Sequence, residues 1–426
     1  MMHRLGWAAA AFLATALPLW AEPADAPDAP QYPDRLDGTL SALGDLEDDN
    51  APRVSHLRFP TMLDGWMAEK ARFREQTGIS FSGSLGLLYQ NYSDPLTGVP
   101  DAAGYKLTFN LSKDLLNAGS PDALSLDIAI EARGPVGTPQ PPLQGGVLAG
   151  NIVPTAATWG DFNYGITQFY IRQSLYGNRF QYAVGRLFAP NFVNAYPFFD
   201  DNRQFLNQNF STSPTIASAL RGFGAIGLIY PTDGGLYVQA GIFTANSQDT
   251  GNTIDSFFNE DEYFTTVEIG WSGLARTPVP IAARGPMDQN NVHLTLWHKD
   301  AQPNAPALNQ PEAQGVAFNA NFMYGPNTMW FVRGGASDGW ITQGALSAGI
   351  GYRPPSASAD LFGIAGGWTD PANENLRDQF TFETFYRYQL TPNLAITPDL
   401  QVVFNPSLNP TIDSQLILGL RLRATF

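Results

Sequence analysis

Residues 189–221 mix aromatic rings with carboxylate, amide and guanidinium groups, reading Pro190-Asn191-Phe192-Val193-Asn194-Ala195-Tyr196-Pro197-Phe198-Phe199-Asp200-Asp201-Asn202-Arg203-Gln204-Phe205-Leu206-Asn207 over their centre. That combination suits a polyol: rings stack on the C–H face of a sugar, while Asp200, Asp201 and Arg203 can pair with its hydroxyls. A connection of this length and aromaticity is too apolar for an idle surface loop. The spacing therefore predicts a segment that folds inward and narrows a passage. The competing expectation is that its rings only pack the loop onto its support.

A second set of charges recurs at alternating positions of extended segments: Arg172, Arg333, Arg353, Glu383, Arg387, Asp399, Arg421 and Arg423. Guanidinium groups offer fixed planar donors to adjacent hydroxyls, and equally a positive ring to carboxylate or phosphate. They could instead pair with Glu383, Asp399, Asp200 or Asp201 and brace the interior. Sugars, small organic acids and phosphate all stay open at this point. Enzymatic chemistry is not supported, because a nucleophile needs a base within reach. His293 and His298 differ in parity and face opposite ways on a strand, and Ser174 and Ser347 have no evident partner. No metal-ligating pattern occurs and no cofactor is implied.

The elements that must position these groups are strands. From Ser414 the chain ends Ser-Gln-Leu-Ile-Leu-Gly-Leu-Arg-Leu-Arg-Ala-Thr-Phe. Successive side chains of a strand point to opposite faces. Leu416, Leu418, Leu420, Leu422, Ala424 and Phe426 then share one face, with Gln415, Ile417, Gly419, Arg421, Arg423 and Thr425 on the other. As a helix the same residues would show no polar stripe. Residues 379–390 and 393–404 repeat the alternation on either side of a turn at Thr391-Pro392-Asn393. Apolar, aromatic-tipped outer faces with charged inner faces are what lipid outside and water inside require of a transmembrane barrel.

From Ile79 onward the pattern gives sixteen strands, near 79–92, 104–114, 123–133, 166–176, 179–188, 222–231, 235–245, 263–272, 291–300, 315–324, 328–337, 343–353, 360–369, 379–390, 393–404 and 414–426. Each approximates the length of a tilted membrane strand. Short turns follow even-numbered strands and longer links, notably 134–165 and 189–221, follow odd-numbered ones. The link 273–290 is longer than its class, so the strand count could slip there. The fold expected is an all-β membrane protein, a 16-stranded antiparallel transmembrane β-barrel with a short N-terminal periplasmic helix. At this strand number a barrel leaves an aqueous channel. Arg at outward Leu418 should then be costly, and Arg at inward Gly419 much less so. Inward parity also selects Lys106, Asp127, Glu131, Arg133, Glu268, His293 and Lys299.

Composition agrees. The chain has 426 residues and no Cys, which excludes disulfide scaffolds and thiol chemistry. His3 and Arg4 precede an apolar run to Leu19 and then Trp20-Ala21, the pattern of a secretory signal peptide over residues 1–21. Its removal takes Arg4 and no acid from 24 basic and 39 acidic side chains, leaving a net charge of −16. Such acidity argues against nucleic acid as a partner. Residues 22–78 form an N-terminal periplasmic segment. Its part 22–60, rich in Pro, Ala and Asp, is expected to be extended or mobile. Residues 61–76 are expected to form a short helix capped by Thr61 and ended by Gly78, plugging the lower mouth or lying under the barrel. The barrel occupies 79–426.

Val184-Gly185-Arg186, followed by Phe198-Phe199-Asp200 and Gln204-Phe205-Leu206-Asn207, resembles the carbohydrate-selective porins of the OprB type. So does Tyr386-Arg387-Tyr388-Gln389-Leu390-Thr391-Pro392 with Thr397-Pro398-Asp399-Leu400-Gln401 and Asn405-Pro406. The likeness spans residues 79–426, although Gly65-Trp66-Met67 stands where that family commonly has Trp-Gly-Gly. The resemblance implies a barrel in the outer membrane of a Gram-negative cell. It would pass monosaccharides down a gradient through a loop-narrowed, partly Arg-lined pore. Small sugars or other hydrophilic solutes, and outer-membrane lipid, would be its partners. The sequence leaves open whether it forms a homotrimer.

Overall fold

The computed structural model describes residues 32–426 except 37, 39, 58–62, 119, 121, 252, 274–289, 304–309 and 356–358. The expected signal peptide and the expected cap Thr61 lie outside the described residues.

Alternation of apolar and polar residues produces sixteen strands: β1 (Ile79–Tyr92), β2 (Asp101–Leu116), β3 (Leu124–Pro135), β4 (Phe162–Leu175), β5 (Phe180–Phe188), β6 (Arg221–Ile229), β7 (Leu236–Thr244) and β8 (Tyr263–Ser272) in the first half. The second half contains β9 (Asn291–Lys299), β10 (Ala313–Tyr324), β11 (Thr328–Asp338), β12 (Thr342–Tyr352), β13 (Leu361–Pro371), β14 (Gln379–Thr391), β15 (Leu394–Phe404) and β16 (Ser414–Thr425). Each pairs antiparallel with its sequence neighbours, and β1 pairs with β16 to close the barrel. Every strand therefore has two partners, so no backbone donors or acceptors are left at an edge in lipid. The long link 273–290 causes no slip, since β8 and β9 pair from Phe264–Lys299 to Ser272–Asn291.

Parity sets the faces as expected. Leu416, Leu418 and Leu420 are exposed on the outer face, and Gln415, Ile417, Arg421, Arg423 and Thr425 are buried within. Gly419 differs from expectation as a substitution site. A Cβ there would lie 3.0 Å from the Asp399 Cβ and 3.3 Å from its Oδ1, so an added side chain meets the neighbouring strand. A larger residue there would make Asp399, its partner in the register, give way by a few tenths of an ångström.

The expectation for residues 22–60 is corrected over their described part. Residues 42–50 form a helix, α1 (Ala42–Asn50), in which the Gly44 N–H donates to the Ser41 Oγ at its start. Tyr32, Leu36, Ala42, Asp45, Leu46 and Asp49 are all buried. Tyr32 sits at the short-turn end, where its N–H donates to the Gly177 carbonyl and the Asn178 Nδ2 donates to the Tyr32 carbonyl. The chain then crosses the lumen. The Gly38 N–H donates to the Asn191 carbonyl, and the Gln168 side chain donates to the Leu40 carbonyl. It leaves at the short-turn end again, where the His56 and Leu57 N–H groups donate to the carbonyls of Gln389 and Leu390. Low hydrophobicity suggested a solvated tail; the lumen supplies the polar partners that order it.

The second helix, α2 (Leu63–Thr77), lies at the β1–β16 seam, where the Lys70 Nζ donates to the Phe426 carbonyl. It flanks β1, with Trp66 and Phe73 edge-on to the outward ring of Phe81 at 5.8 and 5.7 Å. Gly78, at φ +68°, ends it as expected. Among the described residues no helix is long and apolar enough to cross a membrane.

Candidate functional site

The segment between β5 and β6 folds into the lumen, as its aromatic content suggested. It begins with a 3-10 turn at Ala189–Asn191 and contains one short helical turn, α4 (Gln208–Ser211); the preceding helix, α3 (Pro142–Leu148), belongs to the β3–β4 loop. Its rings do not face an open passage. Tyr196, Phe198, Phe199, Phe205 and Phe210 are at most 3% exposed and join Phe331, Phe385 and Met329 of the wall in one apolar cluster. Phe205 lies 4.9 Å from Phe385 in perpendicular contact and 5.8 Å from both Phe198 and Phe331. These aromatics anchor the loop, and the expectation that they stack on a solute is replaced by this packing role. Hydrophobic burial explains the outcome: rings with apolar wall residues in reach leave water.

Polar groups complete the anchoring. The Leu206 and Asn207 N–H groups donate to the Glu383 carboxylate at 2.6 and 3.0 Å. Arg421 donates to the carbonyls of Asp201 and Gln204 at 2.6 and 2.9 Å. Arg333 donates to the Asn194 Oδ1 at 2.6 Å and the Thr212 carbonyl at 3.0 Å, with its guanidinium 3.8 Å from the Tyr196 ring centroid. Asp399 accepts from the Gln401 side chain. Arg421 was expected to pair with Glu383, Asp399 or the loop acids Asp200 and Asp201, or with a solute; its hydrogen bonds go to backbone carbonyls of the loop. Arg353 stands apart at the short-turn end, its N–H donating to the Asn327 carbonyl.

Of the remaining expected site residues, Asp200, Arg203, Arg387 and Arg423 converge on α1, while Asp201 lies beside Thr158 and Lys106. Arg203 pairs with Asp45, Asp48, Asp49 and Asp200. Arg423 lies 2.7 Å from the Asp49 carboxylate and 3.6 Å from that of Asp45, and Arg172 pairs with Asp34. Arg387 donates to the Gln389 side chain and contributes its charge at Asp48. Burial alone would raise the Asp48 carboxyl, but the charges of Arg203, Arg53, Arg387 and Arg423 hold it far below the usual carboxylate range. At Asp200 burial wins over Arg203 and the carboxyl moves up.

This cluster gives a testable pH dependence. Asp48, with its folded value depressed, contributes stability that is present above about pH 4 and lost as pH falls towards that lower value. Arg203→Met leaves three buried carboxylates, Asp45, Asp49 and Asp200, and the half-buried Asp48 short of a cation and is expected to cost about 3–5 kcal/mol near neutrality. The deficit should shrink in acid, where the carboxyls protonate and stop repelling. Thermal unfolding in detergent, followed by gel mobility at neutral and acid pH, checks this. A deficit independent of pH would remove the charge argument.

A narrow polar cavity, partly open to solvent, lies beside the cluster. Lys106, Thr108, Asn110, Glu131, Arg133 and Arg221 are among its lining residues, with Thr158, Gln168 and Asn202. Arg133 pairs with Glu131, the Lys106 Nζ donates to the Thr158 Oγ1 at 2.6 Å, and Arg221 lies 4.4 Å from the Phe188 ring centroid. Lys106, Glu131 and Arg133 were inward by parity but were not singled out as site residues. Arg221 was missed because the strand pattern was counted from Gly222, one residue too late. Thr158 belongs to the 134–165 link, whose few aromatics, Trp159, Phe162 and Tyr164, gave no sign of an inward fold. There the Thr158 N–H donates to the Asp201 Oδ2 at 2.6 Å, and the Gln90 and Gln401 side chains both donate to the Thr155 carbonyl.

Among solved structures, the high-pH structure of Pseudomonas putida OprB is similar to this chain, with a TM-score of 0.65. It is 15% identical and covers 85% of this chain and 97% of that one. The low-pH structure of the same protein has a TM-score of 0.50 at 14% identity, over 86% and 98% of the two chains. At these identities the likeness concerns the fold. No curated protein sequence matches the chain. The model of the carbohydrate-selective porin OprB family matches residues 100–426, most of the barrel. With the closed sixteen-stranded wall, its lipid-facing leucines and its polar, loop-narrowed lumen, this chain belongs to the OprB family of carbohydrate-selective porins of the outer membrane.

Proposed function

We propose that neutral polyols, monosaccharides in particular, pass the narrow lumen beside Lys106, Glu131, Arg133, Gln168, Asn202 and Arg221. These side chains alternate donors and acceptors, which suits a ring bearing a hydroxyl on each carbon. The observation that carries the reading is charge pairing. Lys106, Arg133, Arg172, Arg203, Arg221 and Arg423 each lie within 4 Å of a carboxylate oxygen. A passage lined by paired charges keeps hydrogen-bonding capacity while presenting little net field, so an uncharged solute is not disadvantaged against an anion. Arg333, Arg387 and Arg421 donate to carbonyl and amide oxygens instead, and bases of that kind facing the passage would favour organic acids or phosphate. Homotrimer formation is part of the same proposal.

Arg133→Gln with Arg221→Gln retains donors and removes charge. In liposome swelling with glucose, gluconate and phosphate, glucose entry is expected to change less than about twofold, since a neutral solute gains little from charge. A collapse confined to gluconate and phosphate, in a channel that normally admits them faster than glucose, would replace the sugar reading with an anion one.

A further inference from the structure

We infer that the acidic face of α1 is the channel's resident counter-ion: Asp45, Asp48 and Asp49 occupy the basic centre of the lumen and keep dissolved anions out of it. The inference rests on the neutral-solute reading above. All three carboxylates reach Arg203, and Asp45 and Asp49 also approach Arg423. These bases belong to the barrel wall and its inward loop, whereas the acids belong to a segment that precedes the first strand. The barrel with its loop would present Arg203, Arg387 and Arg423 together, with Asp200 as the loop's acid on Arg203. Such a cluster inside a narrow aqueous passage is an anion filter. The carboxylates of α1 meet the guanidinium groups as dissolved anions would, but they are tethered. Asp45 and Asp49 are buried, so the pairs exclude water and are screened little by salt. The tether also fixes their local concentration, which free anions cannot match by diffusion.

The variant Asp45→Asn/Asp48→Asn/Asp49→Asn keeps side-chain volume and removes three charges. It is compared with the full chain in planar bilayers under a potassium chloride gradient, after a heat-modifiable gel shift has shown a folded barrel. The chloride-to-potassium permeability ratio is expected to rise roughly threefold or more with conductance little changed. A chain lacking residues 32–57 provides a second route should the triple variant fail to fold; it is expected to gain both conductance and anion preference. An unaltered ratio in a folded triple variant overturns the inference. So does a deletion that raises conductance at constant ratio, because α1 is then only a filler. A wild-type channel that already prefers chloride, and admits gluconate faster than glucose, overturns the neutral-solute reading instead.

Discussion

Leu107→Arg is expected to lower the unfolding free energy of the barrel by about 2–4 kcal/mol, the cost of placing a guanidinium in the hydrocarbon region on an outward strand position. Leu107 lies within β2 and is 41% exposed on the face it shares with Phe109. Thr108→Arg, one residue on, turns into the polar cavity opposite Glu131. There the new charge faces the Glu131 carboxylate rather than lipid, so it should cost less than the outward change. Refolding titrations into detergent micelles or bilayers with the two variants side by side check the register of β2 and, through the ladder, that of its neighbours. Equal losses would reject the face assignment. This pair is a better comparison than Leu418 with Gly419, since the crowding of Gly419 against Asp399 would add a steric cost unrelated to lipid.

Phe205→Ala is expected to destabilise the protein by about 3–5 kcal/mol, the range for removing a buried aromatic ring from a packed core. The ring is fully buried and contacts Phe198, Phe210, Phe331 and Phe385, so two elements of the loop and two of the wall lose a common partner. Phe169→Ala, on an outward site 47% exposed, should cost clearly less. Because Phe205 pins the inward loop, its loss should also raise single-channel conductance and its noise. Removing the whole 189–221 segment should raise conductance further, but at a cost to assembly that the loop's aromatic composition alone did not suggest. Unchanged thermal unfolding and conductance in Phe205→Ala would show that the loop is held by its polar contacts alone.

The strands were legible because lipid and water sort alternate residues without regard to the rest of the chain; β16 could be read from its leucines and arginines alone. The inward turn of residues 189–221 was legible for a related reason, since so many rings cannot stay in solvent. The partners of those residues were not. Arg203 and Asp45 are 158 positions apart, and nothing local marks them as a pair. The acidic run at Asp45, Glu47, Asp48 and Asp49 has the composition of a solvated tail. Its order comes from guanidinium groups that the barrel brings to the same place. Arg421 shows the same limit: its inward direction followed from parity, but its choice of backbone carbonyls over carboxylates depends on how the loop turns at Asp201 and Gln204.

The path of residues 32–57 also bears on the order of assembly. The segment meets the barrel at Gly177, Asn178 and Asp233 on the way in, and at Asp360, Gln389 and Leu390 on the way out. All six lie in or beside links of the short-turn mouth. A strand of chain that entered at one mouth and left at the other would be threaded, and the wall could close only around it. A segment that enters and leaves by one mouth is a tucked loop, topologically free of the ring of strands. The β1–β16 seam can therefore zip shut in the membrane first, and the loop can be posted afterwards from the periplasmic side, where short turns face in barrels of this kind. Insertion of the wall and filling of its lumen are separable events, and the second needs no strand to part.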